Sequence, residues 1–125
     1  MVQLESIDFS QHYVKLYCDD GGIFTTIRRY SADNIKKYLN QEGNIYTITI
    51  NGQYVFDARL LSVMNINHVY DLSMYLLVYD SMYYPIDKDN YTENGISDIT
   101  TKYGDAPVML LILQKVTEDD VQNNR

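Results

Sequence analysis

Cysteine is almost missing from this chain of 125 residues, where Cys18 stands alone. No intramolecular disulfide can form, so stability must come from burial, and a reducing compartment is the natural expectation. Tryptophan is absent and phenylalanine occurs three times, against thirteen tyrosines. Proline appears twice, and the six glycines all fall at predicted turns, which leaves none for a phosphate-cradling loop. Uninterrupted apolar runs are short: residues 106–113 form one of the longest, far below the length that spans a bilayer. No basic stretch followed by an apolar run opens the sequence, so no secretory leader is expected. The expectation is a cytoplasmic protein with no membrane partner.

Positive charge is also scarce. The net charge is −7, unevenly spread: residues 1–59 hold six basic against seven acidic side chains, whereas residues 60–125 hold four against ten. A negative half repels a polyphosphate backbone, so direct nucleic-acid binding is disfavoured and a basic partner is attracted. Acidity also serves solubility, which accounts for most acidic domains. Tyrosine in such excess suits half-buried strand faces, where the ring packs and the hydroxyl stays wet, and it is enriched at interfaces. An A- and T-rich coding bias produces the same tyrosine, asparagine, isoleucine and aspartate usage.

The clearest pattern lies in residues 44–64. Ile45, Thr47 and Thr49 alternate with Tyr46, Ile48 and Ile50, the period of a strand. Asn51-Gly52 then supplies the two positive-φ residues of a tight hairpin turn. Past the turn, strict alternation puts Tyr54, Phe56, Ala58 and Leu60 on one face and Val55, Asp57, Arg59 and Leu61 on the other. Upstream, residues 2–7 read as an edge strand. Residues 12–18 and 23–29, joined by Asp19-Asp20-Gly21-Gly22, read as a second hairpin. Ser31 is placed to cap a helix over 32–39, with Ile35, Tyr38 and Leu39 as its apolar face. Residues 71–84 fit either a helix capped by Asp71 or a buried strand over 74–80, and the strand is preferred. A polar section, 85–105, with a helical turn near 97–103, leads to an apolar core strand over 107–116. Residues 117–125 read as an acidic, polar tail. The expected fold is α+β: an antiparallel sheet of hairpins with one or two short helices, in a single domain over 1–116.

Chemistry is thinly represented. His12 and His68 flank no nucleophile motif, and with Cys18 they make a poor zinc set. Cys18 alternates with Val14 and Leu16, which suits a core thiol better than a nucleophile. Asp87, Asp89 and Glu93 suggest a calcium loop, yet Tyr91 and Thr92 occupy the positions that need an oxygen ligand and a glycine. No metal, cofactor or catalytic residue is expected. Asn90-Tyr91-Thr92 matches a glycosylation sequon with no leader to make use of it. Arg28-Arg29-Tyr30-Ser31, at the helix entry, offers two guanidiniums, a ring and free N–H groups to a phosphate. Strand alternation, however, lets only one arginine face any given site.

Tyr83, Tyr84 and Tyr91 lie among Asp87, Asp89, Glu93 and Asp98, carboxylates interleaved with aromatics as a basic partner would require. The overall profile is similar to that of small inhibitors encoded by bacteriophages and mobile elements, such as anti-CRISPR proteins and DNA mimics. The resemblance lies in size, acidity and tyrosine, asparagine and aspartate usage alone. It implies a non-enzymatic inhibitor whose acidic side chains occupy a nucleic-acid-binding surface of a basic host protein, in the host cytoplasm. Two other classes fit the same composition: an immunity protein that neutralises a basic toxin, and a sponge for a small phosphorylated or nucleotide signal held by Arg28, Arg29, Tyr30 and Ser31. Homo-oligomerisation is compatible with all three.

Overall fold

The hairpin around Asn51-Gly52 forms as its sequence dictates. In a computed structural model that describes residues 5–10, 14–68, 71 and 102–117, Asn51 has φ 50° and Gly52 φ 83°, the left-handed pair of a type I′ turn. The turn joins β3 (Ile45–Ile50) to β4 (Gln53–Ile66). The carboxylate of Asp8 clamps it from outside, accepting hydrogen bonds from the Thr49 hydroxyl at 2.5 Å and the Gly52 N–H at 2.8 Å. Those bonds hold the Asp8 carboxyl below the usual carboxylate range.

Around this hairpin the described residues build one curled, mixed sheet of five strands in the order β1-β3-β4-β5-β2, with β1 (Ser6–Phe9), β2 (Ile23–Arg29) and β5 (Val108–Val116). An α-helix, α1 (Ala32–Tyr38), follows β2. The Ser31 hydroxyl accepts from the Asn34 N–H at 3.2 Å, the expected cap, and Tyr38 is buried with Ile35 and Leu39 packed beside it. The α+β class holds, but the sheet is not wholly antiparallel: β1 runs parallel to β3.

The expected hairpin of 12–18 with 23–29 does not form. Residues Val14–Tyr17 make a 3-10 turn, and β2 pairs antiparallel with β5 along its whole length. Two local facts account for this. The chain reverses so tightly at Gly22 that a Cβ there would lie 2.7 Å from that of Cys18 and 2.8 Å from the Asp19 carbonyl. Residues 16–18 are thereby pressed onto the sheet instead of alongside it, with Leu16 buried. Meanwhile β5, buried on both faces, needs a neighbour on each edge, and β2 is the β-branched strand available.

The second departure lies in β4. Phe56 pairs with Ile48 and Tyr54 with Thr49, so Val55 is an extra, bulged residue. The bulge puts Val55 and Phe56 on the same side, both against the main core, and leaves Tyr54 exposed on the other. Strict alternation had grouped Tyr54 with Phe56. A second bulge, at Leu61, shifts the register again, so that Val63 joins the main core.

That core lies between α1 and the concave face, with Phe24 edge-on to Phe56 at 5.6 Å and Tyr38 tilted against Tyr46 at 5.6 Å. The Tyr46 hydroxyl donates to the Lys37 carbonyl at 2.7 Å. On the other face Ile27, Val108 and Leu110 pack under Tyr103, whose hydroxyl donates to the Ile27 carbonyl at 2.8 Å. The strand expected over 107–116 is therefore confirmed as a core strand. The expected edge strand appears as β1, a few residues later than its pattern suggested. The alternatives for 71–84 lie almost wholly outside the described residues, as does most of 85–105; Asp71, Lys102 and Tyr103 are described.

Gly52→Val is expected to lower stability by about 1 kcal/mol or more, because a β-branched residue resists φ > 0 and the Asp8 clamp depends on the turn. A urea midpoint equal to that of the wild type would rule this out.

Candidate functional site

Strand alternation sends Arg28 and Arg29 to opposite faces. The Arg28 guanidinium lies 4.8 Å over the Phe9 ring, donates to the Asp8 carbonyl at 3.1 Å, and donates through Nε to Thr26 at 3.2 Å. Since β2 and β1 sit at opposite ends of the strand order, this contact shows how far the sheet curls. Arg29 donates to the Lys102 carbonyl at 3.1 Å and lies 5.3 Å over the Tyr103 ring. Ser31 caps α1, and Tyr30 is exposed with its N–H bonded to the Pro107 carbonyl at 3.2 Å. The four residues do not converge on one point.

Other cations share this pattern. The Thr47 and Asn51 N–H groups bond to the Glu5 and Phe9 carbonyls, so alternation aims the Ser6 and Asp8 carbonyls away from β3. Lys37 meets the first and Arg28 the second. Lys102 lies 5.3 Å over Tyr103. Lys115 donates to the Cys18 carbonyl at 3.2 Å, lies 5.1 Å over Phe56, and approaches the Asp20 carboxylate to 3.7 Å. Among the described residues that last contact is an ion pair, whereas Arg28, Arg29, Lys37 and Lys102 meet carbonyls and rings.

Lys115 lies in an open groove of about 450 Å³ between residues 16–20 and the first β4 bulge. Leu16, Val55 and Phe56 form its apolar floor, while Tyr17, Asp19 and Asp20 stand exposed at its rim. Cys18 is half-buried beside them, packed against the core. Burial pushes its thiol above the ordinary range, partly offset by Lys115, which fits a core thiol. Sequence reasoning missed this groove because its walls come from three distant stretches and depend on a bulge. The turn cluster at Asp19-Asp20 was the one visible sign.

A second acidic feature lies on the convex face. Asp57 accepts from Tyr54 at 3.2 Å and from Thr47 at 3.4 Å, in the same β1–β3–β4 region as Asp8. Of the earlier candidates, Tyr83, Tyr84, Asp87, Asp89, Tyr91, Glu93 and Asp98 lie outside the described residues, as does His12. His68 is described, with Nδ1 3.0 Å from the Asp105 carbonyl. No group of three or more potential metal-ligating side chains comes together among the described residues. No described helix is long and apolar enough to cross a membrane. No protein-family model, curated protein or solved structure matches the chain.

Two measurements follow from these contacts. Arg28→Ala is expected to lower stability by about 1 kcal/mol, since it removes a charge-assisted bond and a ring contact across the curl of the sheet; an unchanged urea midpoint would show that these contacts do not hold the curl. Cys18 should react with iodoacetamide more slowly in the native protein than in urea at the same pH, because a raised pKa leaves less thiolate. A native rate equal to or above the unfolded one would contradict a buried, inert thiol.

Proposed function

We propose that the chain is a small, non-enzymatic binding protein that inhibits a basic macromolecular partner, such as a nucleic-acid-binding host protein. The observation that supports this reading best is how the cations are used. Among the described contacts, Arg28, Arg29, Lys37 and Lys102 each meet a backbone carbonyl or an aromatic ring. Acidic side chains outnumber basic ones by seventeen to ten, on a chain at −7. A surface of that kind steers a basic partner and repels nucleic acid.

Within the polar section, Asp87, Asp89, Glu93 and Asp98 supply the steering in this reading, and Tyr83, Tyr84 and Tyr91 the desolvated anchors. Charge mainly sets association rate, whereas buried aromatic anchors set dissociation. An immunity protein facing a basic toxin would use the same surface. The sponge reading gains nothing from the described contacts of Arg28 and Arg29, which lie on opposite faces.

The test is kinetic. With a partner isolated on the tagged protein, association should slow as salt rises. Changing Asp87, Asp89, Glu93 and Asp98 to their amides should reduce both the rate and its salt dependence, while Tyr84→Ala or Tyr91→Ala should speed dissociation. Association by the wild type that is indifferent to salt, or a partner as acidic as this chain, would overturn the reading.

A further inference from the structure

We propose that the groove between residues 16–20 and the first β4 bulge receives an arginine-bearing segment of the basic partner, with the guanidinium at Asp19 and Asp20 and a neighbouring apolar side chain on Val55 and Phe56. This deepens the function proposed above and rests on it. Lys115 displays the chemistry of the groove. Its ammonium is held by a carbonyl at 3.2 Å, an aromatic face at 5.1 Å and a carboxylate at 3.7 Å, a constellation suited to a cation on an apolar stem.

The site is not saturated by Lys115. Asp20 is 64% exposed while the Lys115 side chain is 24% exposed, so the carboxylate presents most of its surface to solvent. Asp19 is exposed beside it, and the ring of Tyr17, 58% exposed, stands on the same rim. A planar guanidinium can pair with a carboxylate and lie against a ring at once, which an ammonium does less well. The floor matters equally: Val55 reaches it only because the bulge turns it to the same side as Phe56. Charge at the rim and apolar surface beneath select a peptide over a free cation.

The intramolecular cation also predicts an unusual sign. Lys115 repels an incoming guanidinium and competes for Asp20, so removing it should tighten binding. Lys115→Met keeps the apolar stem over Phe56 and frees the carboxylate.

The experiment is an NMR titration of the full-length protein with the blocked tripeptide arginyl-leucyl-arginine. Glutamyl-leucyl-glutamate, arginyl-glycyl-arginine and spermidine serve as comparison probes. The amides of residues 16–20, 55, 56 and 115 are expected to shift with the first probe, less with the glycyl peptide and spermidine, and not with the acidic peptide. Asp20→Asn, at an exposed position, should weaken the tripeptide about threefold and Lys115→Met should strengthen it about threefold, the range of a single exposed ion pair. Equal shifts with spermidine would make the groove a site for charge alone and overturn the peptide assignment. Unmoved groove amides, or affinities the same in both variants, would overturn the site itself. Salt-dependent association with the partner alongside an unresponsive groove would sink this inference and leave the proposed function standing. Salt-indifferent association would sink the proposed function, whatever the tripeptide does.

Discussion

The first half of strand β5 has no face that meets water. Val108, Met109, Leu110, Leu111 and Leu113 are wholly buried, and successive side chains point to opposite sides. A strand of this kind needs a hydrogen-bonded neighbour on each edge and a packed layer on each face. β4 and β2 supply the edges. On the concave side Met109, Leu111 and Leu113 share a core cluster with Leu16 and with Tyr38 of α1, and Tyr103 covers part of the convex side over Val108 and Leu110. Because β2 must cross to β5, it cannot pair with the residues just before it, and those fold into a turn. The chain then returns through α1 to β3, bringing β1 alongside as a parallel edge.

Local signals were legible in the sequence wherever a few adjacent residues determine a backbone conformation. Asn51-Gly52 dictates its turn, Ser31 its cap, and the apolar run before Val116 its place in the core. Pairing between distant segments was not legible. Alternation in residues 12–18 is compatible with a strand, and only the demand of β5 for β2 decides against it. Nor does a period of two reveal an inserted residue. One bulge exchanged the faces of Tyr54 and Val55, and with them the side chain that lines the groove. Of the candidate site, the alternation of Arg28 and Arg29 could be read in advance, whereas their carbonyl and ring partners could not. The tyrosine and carboxylate residues of 83–98 fall outside the described structure.

Two of the cations are used at the exposed edge of the sheet. An open sheet edge presents unpaired carbonyls, and charged side chains are a usual way of blunting it. Here Lys37 and Arg28 meet the outward carbonyls of β1, and Arg28 does so from the far end of the strand order. Each of these cations also lies in the field of a nearby carboxylate, Lys37 in that of Glu5 and Arg28 in that of Asp8. Asp8 shows the complementary arrangement: its carboxylate is held below the usual range first by a hydroxyl and a backbone N–H at the hairpin turn, with the charge of Arg28 adding less.

This division of roles has a consequence for salt. Contacts of a guanidinium with a carbonyl and a ring act at close range, where mobile ions intervene little. The field of carboxylates exposed on the surface is screened over roughly 8–10 Å at physiological ionic strength. A fold stabilised by the first kind of contact tolerates salt that abolishes steering by the second. Under the function proposed above, recognition of a basic partner would be tuned by ionic strength without loosening the scaffold. In this molecule, Lys115 stands where the two regimes meet, tied to a carbonyl and a ring on one side and to the exposed Asp20 on the other. The outer contact is the one salt or a competing cation weakens first, while the inner two keep its stem over Phe56.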